Sequence, residues 1–270
     1  MGESFGIKTP AIIQNPEGRE KLKPLSKDYF DIQLQFAEAV SQKSGIPLEN
    51  ALFKYTNLFA RLSFGTLDEL DENDPAWQKF AHDVSTQTDR SEYVYSTYLN
   101  APQEKPPAQP IQFGCFRADP VEEDGLVTFH FKNTEYGKSP FSPDQIEARK
   151  QELKNLFTEI KKQYPHAKIV KGGSWLYDKE EYRSLFPASY SDSRIVQNDN
   201  RFFQGMSRWG QFLDKNGNVR SDSKERFLEA LKRVDAEHLA DAFPIPRYKV
   251  EAPVQDFYDF YGIRDEEVGA

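Results

Sequence analysis

The sequence predicts an α+β fold in which a mixed or mainly antiparallel sheet is flanked by helices and preceded by a helical lobe. Residues 26–100 carry apolar side chains at helical spacing, whereas apolar and polar side chains alternate from residue 111 onward. Four prolines between them prevent a helix and predict an extended connector. The predicted units are an arm and helical lobe (1–100), a connector (101–110), an α+β core (111–246) and an aromatic, acidic tail (247–270).

Four helices are predicted in the helical lobe. The first begins after Ser26, which can act as an N-cap, and ends at Gly45. The other three are predicted at residues 47–65, from Asp74-Pro75 onward, and around the tyrosines at 93–98. Residues 1–25 show no such periodicity and predict an arm without an assigned function.

The core is predicted to start with a hairpin, because large apolar residues alternate on both sides of the acidic turn at 119–125. Ser142-Pro143-Asp144-Gln145 then opens a long amphipathic helix. The later predicted elements are strands at 168–171, 194–196 and 202–212, a short helix at 180–186, a turn at 214–218 and a helix at 221–239. The rings at 257, 258, 260 and 261 are expected to pack back on the body.

The overall charge argues against a nucleic-acid partner. Asp and Glu number 43 against 35 Lys and Arg, and no basic block is long enough to follow a phosphate backbone. The first residues show no secretory signal, and no window approaches the length of a membrane span. We therefore expect a cytoplasmic protein without a membrane or nucleic-acid partner.

The sequence shows no metal site and no reactive thiol. The four histidines are isolated, and the calcium-loop spacing that starts at Asp214 has Val219 where the loop needs glycine, which favours a plain turn. Cys115 is the only cysteine and lies in an aromatic, strand-like run, which predicts a buried and unreactive side chain.

The least ordinary segment is 171–210. Gly172-Gly173 permits a tight turn or a close approach to a ligand, and polar, aromatic and cationic side chains follow it. The alternative is an aromatic core at a strand-to-helix junction. The predicted pocket residues are Ser174, Trp175, Tyr177, Arg201, Arg208 and Trp209.

Two further positions are weaker candidates. His130 lies between Phe129 and Phe131 and points to the other side of its strand, where it is either a general base or a surface histidine. Asn57 and Arg61 are four residues apart on one helix face, where they either cap the pocket or are solvated.

The order of elements resembles the C-terminal part of bacterial GNAT-like acyltransferase-domain proteins. The resemblance covers less than a third of the chain and rests on residues 127–131 and 142–165, on Gly173-Ser174-Trp175-Leu176 and on Leu185-Phe186-Pro187. It implies a mixed sheet flanked by helices, an acyl-CoA thioester in the splay between central strands, and an amine acceptor. The glycine-rich turn that binds the CoA pyrophosphate in that family is absent from this sequence.

The resemblance leads to a functional hypothesis. The chain is a GNAT-like enzyme or enzyme relative that transfers an acyl group from a CoA thioester to an amine. Tyr177 would protonate the leaving thiolate, and His130 or an ordered water would take the amine proton. The alternative is a non-catalytic protein that holds a metabolite in its aromatic pocket or a protein partner on its C-terminal tail.

Overall fold

The computed structural model describes residues 25–102, 111–135, 137–197 and 199–264. They form an α+β fold with one six-stranded mixed sheet flanked by helices, as predicted. The predicted arm before residue 25, the connector from 103 to 110 and the tail from 265 to 270 lie outside the described residues. In the described ranges, no helix is both long and apolar enough to cross a membrane.

The helices are α1 (Lys27–Ser44), α2 (Leu48–Tyr55), α3 (Leu58–Arg61), α4 (Pro75–Thr86), α5 (Arg90–Asn100), α6 (Pro143–Gln163), α7 (Glu180–Arg183), α8 (Ala188–Asp192), α9 (Met206–Trp209), α10 (Ser221–Arg233) and α11 (Val254–Tyr261). Short 3-10 turns lie at Leu67–Glu69, Trp175–Asp178, Gly210–Phe212 and Leu239–Ala242. The strands are β1 (Ile111–Phe113), β2 (Phe116–Ala118), β3 (Leu126–Phe131), β4 (Ile169–Ser174), β5 (Ile195–Val196) and β6 (Tyr248–Pro253).

The sheet order is β1-β2-β3-β4-β6-β5. All neighbouring strands are antiparallel except β3 and β4, which α6 connects as a parallel pair. The segment predicted as a tail supplies β6, which lies between β4 and β5 and pairs with β4 over six residues. Exposed and buried residues alternate along β6: Glu251 is exposed, whereas Val250 and Ala252 are buried. This pattern is typical of a strand that packs one face on a core.

Two separate segments of the chain form the hydrophobic core of the helical part of the molecule. Its residues come from the predicted lobe and from the region 203–243, which the sequence predicts as part of the α+β core. Phe36 of α1 lies at the contact between the two segments, with ring centroids 5.3 to 5.6 Å from those of Phe203, Trp209, Phe227 and Phe243. Residues 203–243 therefore fold with the helices.

The strand predicted at residues 202–212 is wrong. The segment forms α9 and a 3-10 turn, preceded by Gly205 in an extended conformation. Phe203, Met206, Trp209 and Phe212 are three residues apart, a spacing that places them along one side of a helical segment and not on alternate sides of a strand.

A second core lies between one face of the sheet and α6, α7, α8 and α11. Phe157 of α6 stacks on Phe257 of α11 at 4.5 Å between ring centroids. Three of the four tail rings are buried here as expected, and Phe260 is 45% exposed. The tail rings therefore belong to the core of the sheet.

The sequence features at 115 and 214 have structural roles. Cys115 is buried, as predicted. The Asp214 carboxylate accepts backbone hydrogen bonds from Asn216 and Asn218 at 2.8 and 2.9 Å. This is an Asx-type turn, so the carboxylate oxygen that a calcium loop would need is occupied by its own backbone.

Candidate functional site

The central parallel strands separate part-way along their length. β3 and β4 pair only through Leu126–Ile169, Val127–Val170 and Thr128–Lys171. Beyond this point residues 129–131 pair with β2 and residues 172–174 pair with β6, and the two segments do not pair with each other. We call the gap between residues 129–131 and 172–174 the slot. The slot lies at the carboxyl ends of both strands.

Two tyrosine hydroxyls lie at the slot on the core face of the sheet. Tyr177 and Tyr190 approach to 2.9 Å between their oxygens. Both hydroxyls lie over Gly172, where a Cβ atom would collide with them. Burial raises the pKa of Tyr177 and of Tyr190 well above the ordinary value, so both hydroxyls hold their protons at neutral pH.

The local sequence explains how Tyr177 reaches this place. Ser174 ends β4 and its hydroxyl accepts a hydrogen bond from the Leu176 amide at 3.1 Å, which caps the 3-10 turn carrying Tyr177. Arg183 and Arg194 both donate to the Tyr177 carbonyl, at 3.1 and 3.2 Å. The Ser174 hydroxyl, predicted to bind substrate, is thus engaged in turning the chain.

A second group of side chains lies on the opposite face of β4. Successive strand residues point to opposite faces, so Gly173 faces away from the tyrosine pair. Arg247, directly before β6, lies against Gly173, where a Cβ would collide with its guanidinium. Arg208 of α9 lies close by, because both arginines bind Gln197: Arg208 donates to its carbonyl and Arg247 to its side-chain oxygen.

Arg208 is 1% exposed and donates to three backbone carbonyls of the segment that precedes α9. Its guanidinium lies 4.9 Å from the ring centroid of Phe203. Burial, together with the positive charge of Arg247, lowers the pKa of Arg208 to about 10. The group is still charged at neutral pH, in a place that disfavours the charge.

The remaining predicted pocket residues do not gather at one point. Arg201 has a side chain that is 68% exposed and pairs with Asp199 at 2.5 Å. Trp209 is buried in the helical core, where its indole donates to the Phe203 carbonyl at 2.6 Å. Trp175 packs beside Gly210, with 3.2 Å between its Nε1 and the position of a Cβ there. Trp209 therefore belongs to an aromatic core and not to a pocket, as the alternative interpretation of this segment predicts. Trp175 packs between the end of β4 and α9.

His130 lies on the face of the sheet opposite the tyrosine pair, because Phe129 packs toward Tyr190 at 6.3 Å between ring centroids. Its side chain is 44% exposed and its Nε2 lies 2.6 Å from Asp119 Oδ2. His130 and Tyr177 therefore flank the sheet from opposite sides. The general-base role of His130 stays a prediction.

The helical lobe contacts α9, the helix that carries Arg208, through Asn57. Asn57 is buried and donates to the Tyr29 hydroxyl at 2.7 Å and to the Met206 sulfur of α9 at 3.3 Å. It is thus a structural contact between α3 and α9, which excludes the solvated interpretation.

Sequence reasoning missed Tyr190, Gln197 and Arg247. No local signal marks Arg247, because the sequence predicts its segment as a tail and not as the start of a strand. Tyr190 follows Phe186-Pro187, and the only available signal was the helix start that Pro187 provides.

Comparison of the chain with models of known protein families, with curated proteins and with solved structures found no match. Across the residues that the structure describes, no group of three or more His, Cys, Asp or Glu side chains is arranged to hold a metal ion.

Proposed function

We propose that the chain is a GNAT-like enzyme that transfers an acyl group from a CoA thioester to an amine, with the slot as the thioester site. One observation carries the proposal: the parallel pair β3–β4 separates after three residue pairs, and two protonated hydroxyls lie beside the gap. The resemblance noted in the sequence implies a thioester in a splay between central strands.

The slot has the polar groups that an extended ligand needs. Strand residues 129–131 and 172–174 leave their facing backbone groups without each other as partners, so a chain with amide groups can hydrogen-bond between them as a strand would. Gly172 and Gly173 carry no side chains into this space.

The residues beside the slot suggest how the reaction is assisted. When a thioester is attacked by an amine, the carbon–sulfur bond breaks, the sulfur takes a proton and the amine loses one. Tyr177 holds a proton at its hydroxyl in an apolar environment, and the Tyr190 hydroxyl lies within hydrogen-bonding distance of it at 2.9 Å. His130 lies on the opposite face, where it can receive the amine proton directly or through water.

The first test is binding. A ligand at about one hundred times its dissociation constant stabilises the folded protein by about 2.7 kcal/mol, so we expect acetyl-CoA or a longer acyl-CoA to raise the melting temperature. Release of free thiol from the bound thioester in the presence of a panel of amines then tests transfer. If no thioester raises the melting temperature or loses its acyl group, the proposal is wrong.

The alternative function, an interaction protein that binds a partner through its tail, has less support. The described tail offers Phe260 as an exposed ring, whereas Phe257, Tyr258 and Tyr261 are buried against the sheet. Deletion of residues 247–270 is a poor test of this function because it removes β6 from the centre of the sheet.

A further inference from the structure

The geometry points to an oxyanion-binding site between Arg208 and Arg247, which takes the carboxylate or phosphate group of a small-molecule ligand. The site lies on the face of β4 opposite the tyrosine pair, at Gly173. The inference goes beyond acyl transfer, because it rests on the charge and hydrogen bonding of these arginines alone.

The first argument is unused hydrogen-bonding capacity. Nη1 of Arg208 and Nε of Arg247 are buried donors without a hydrogen-bond partner. Buried donors of charged groups are almost always paired, because an unpaired one loses its hydration without compensation. A ligand with two or three adjacent oxygens matches the fork of a guanidinium.

The second argument is charge. Neither Arg208 nor Arg247 makes an ion pair within the part of the chain that the structure describes, and their backbone and amide acceptors carry no net charge. The Asp199 carboxylate acts on both arginines and the Asp241 carboxylate also acts on Arg208, while Asp199 forms its ion pair with Arg201. Among the described residues, the buried guanidinium of Arg208 and the half-buried one of Arg247 therefore have no directly paired carboxylate, and an anionic ligand would supply that partner.

The third argument concerns the backbone beside the site. Phe202 has a φ of 63°, a left-handed conformation that is unfavourable for a bulky residue. Its ring lies 4.2 Å from the Arg247 guanidinium, 5.5 Å from that of Arg201 and is 44% exposed. The exposed Phe202 ring thus packs on the Arg247 guanidinium while its backbone is held in an unfavourable conformation.

The net charge of the chain fits a small anionic ligand better than an anionic polymer. The chain is acidic overall, with a formal net charge of -8, so a long polyanion would be repelled beyond the immediate contact. The side of Gly173 that contacts Arg247 is the side of the sheet on which His130 lies, which places the oxyanion of a bound acid on the proposed acceptor side of the slot.

The test uses inorganic phosphate and glutarate as probes, each compared with sodium chloride at equal ionic strength, and calorimetric titration of the full chain. We expect saturable binding of at least one probe. Binding of phosphate alone identifies a phosphorylated ligand, and binding of glutarate alone identifies a carboxylic acid. Arg247→Gln should weaken that binding about tenfold or more, because it removes a charged donor.

Arg201→Gln is the matched control, since it removes the same charge from an exposed neighbour, and it should change the affinity by about twofold or less. Arg247→Lys keeps the charge but loses the fork, and it should still weaken binding. Absence of binding by both probes, or an equal loss in the Arg247→Gln and Arg201→Gln proteins, overturns the inference. If the oxyanion site is overturned in this way but acetyl-CoA still raises the melting temperature of the same proteins, the proposed acyl transfer is unaffected.

Discussion

The hydroxyl oxygens of Tyr177 and Tyr190 lie 2.9 Å apart over the backbone of Gly172, although they come from two separate turns of chain after β4. Pro187 separates the two turns and directly precedes the helix that carries Tyr190. The contact places two proton-holding groups at the point where the central strands part.

The first prediction concerns these hydroxyls in catalysis. Tyr177→Phe should lower acyl transfer by about a hundredfold if its proton goes to the leaving sulfur, since a positioned general acid contributes about 10² to 10⁴. Thiol release under saturating thioester measures the effect. Tyr258→Phe removes a hydroxyl elsewhere in the same core and should leave the rate unchanged. Equal rates for Tyr177→Phe and the parent would remove Tyr177 from the reaction.

The second prediction concerns Gly172. A methyl group there would collide with both tyrosine hydroxyls, so Gly172→Ala should lower the free energy of unfolding by about 1 to 3 kcal/mol. Urea denaturation measures the change. Gly205→Ala is the matched control, because the nearest atom to its new methyl group lies 3.7 Å away.

Removing one obstructing hydroxyl tests the cause. The double change Gly172→Ala with Tyr190→Phe should recover part of the loss, since the two effects share one contact. Full additivity of the two changes would contradict this explanation.

The third prediction is alkaline unfolding. Burial raises the pKa of Tyr177, Tyr182, Tyr190 and Tyr261 well above the ordinary value of 10.0. The folded state therefore holds these protons more tightly than the unfolded chain does. This contribution to stability is complete below about pH 10 and is lost as the pH rises from there toward the folded-state pKa.

Tyrosinate absorbance and helical circular dichroism should thus change together above about pH 10. Tyr261→Phe removes one of the four groups and should move the midpoint to higher pH. Ionisation of all tyrosines without loss of helix would show that the rings are not protected by burial.

The fourth prediction concerns a buried ion cluster under the first hairpin. Arg149 of α6 is 2% exposed and lies 3.2 Å from Glu152 and 3.3 Å from Glu135, and it also donates to the Cys115 sulfur. Arg149→Met should lower the free energy of unfolding by about 3 kcal/mol, because it removes the cation from the half-buried Glu152 carboxylate and leaves it with the Cys115 amide as a hydrogen-bond partner.

Lys150→Met, which removes the adjacent exposed cation paired with Glu147, serves as the control and should have little effect. Thermal unfolding at neutral pH measures both proteins. A small loss of stability in the Arg149→Met protein would mean that water hydrates the Glu152 carboxylate and replaces the lost ion pair.

The fifth prediction concerns the composition of the helical core. A fragment of residues 25–102 should not fold by itself, because Phe36 and its neighbours pack on rings from residues 203–243. Circular dichroism and amide exchange of the fragment measure this. Phe36→Ala in the full chain should cost about 3 to 5 kcal/mol. A stable, protected fragment would show that the lobe is an independent domain.

Local patterns predicted much of this fold. Features that depend on neighbouring residues lie where they were expected: the caps at Asp74 and Gly45, the alternation in β3 and the long helix that begins at Pro143. The assignment of residues 203–243 failed because the choice of core depends on contacts such as Phe36–Phe227, which lie far apart in sequence.

The candidate site shows the same limit. Gly172-Gly173 and Tyr177 were singled out from composition, and they lie together at the slot. The partners that complete the site, Tyr190 on one face and Arg247 on the other, come from distant segments whose pairing no local pattern specifies. Arg201 was selected for its charge, which a surface ion pair with Asp199 already engages.

The position of β6 has a consequence for synthesis of the chain. β4 gains its second neighbour only when Tyr248–Pro253 has emerged from the ribosome, and the helical core closes only with Phe243. A nascent chain therefore carries an unpaired β4 edge from the synthesis of β4 until β6 follows, and exposed rings of the helical core until Phe243 follows. Chains that terminate before residue 248 keep that edge, so they should be clients of chaperones and proteases even though strands β1 to β5 have been made.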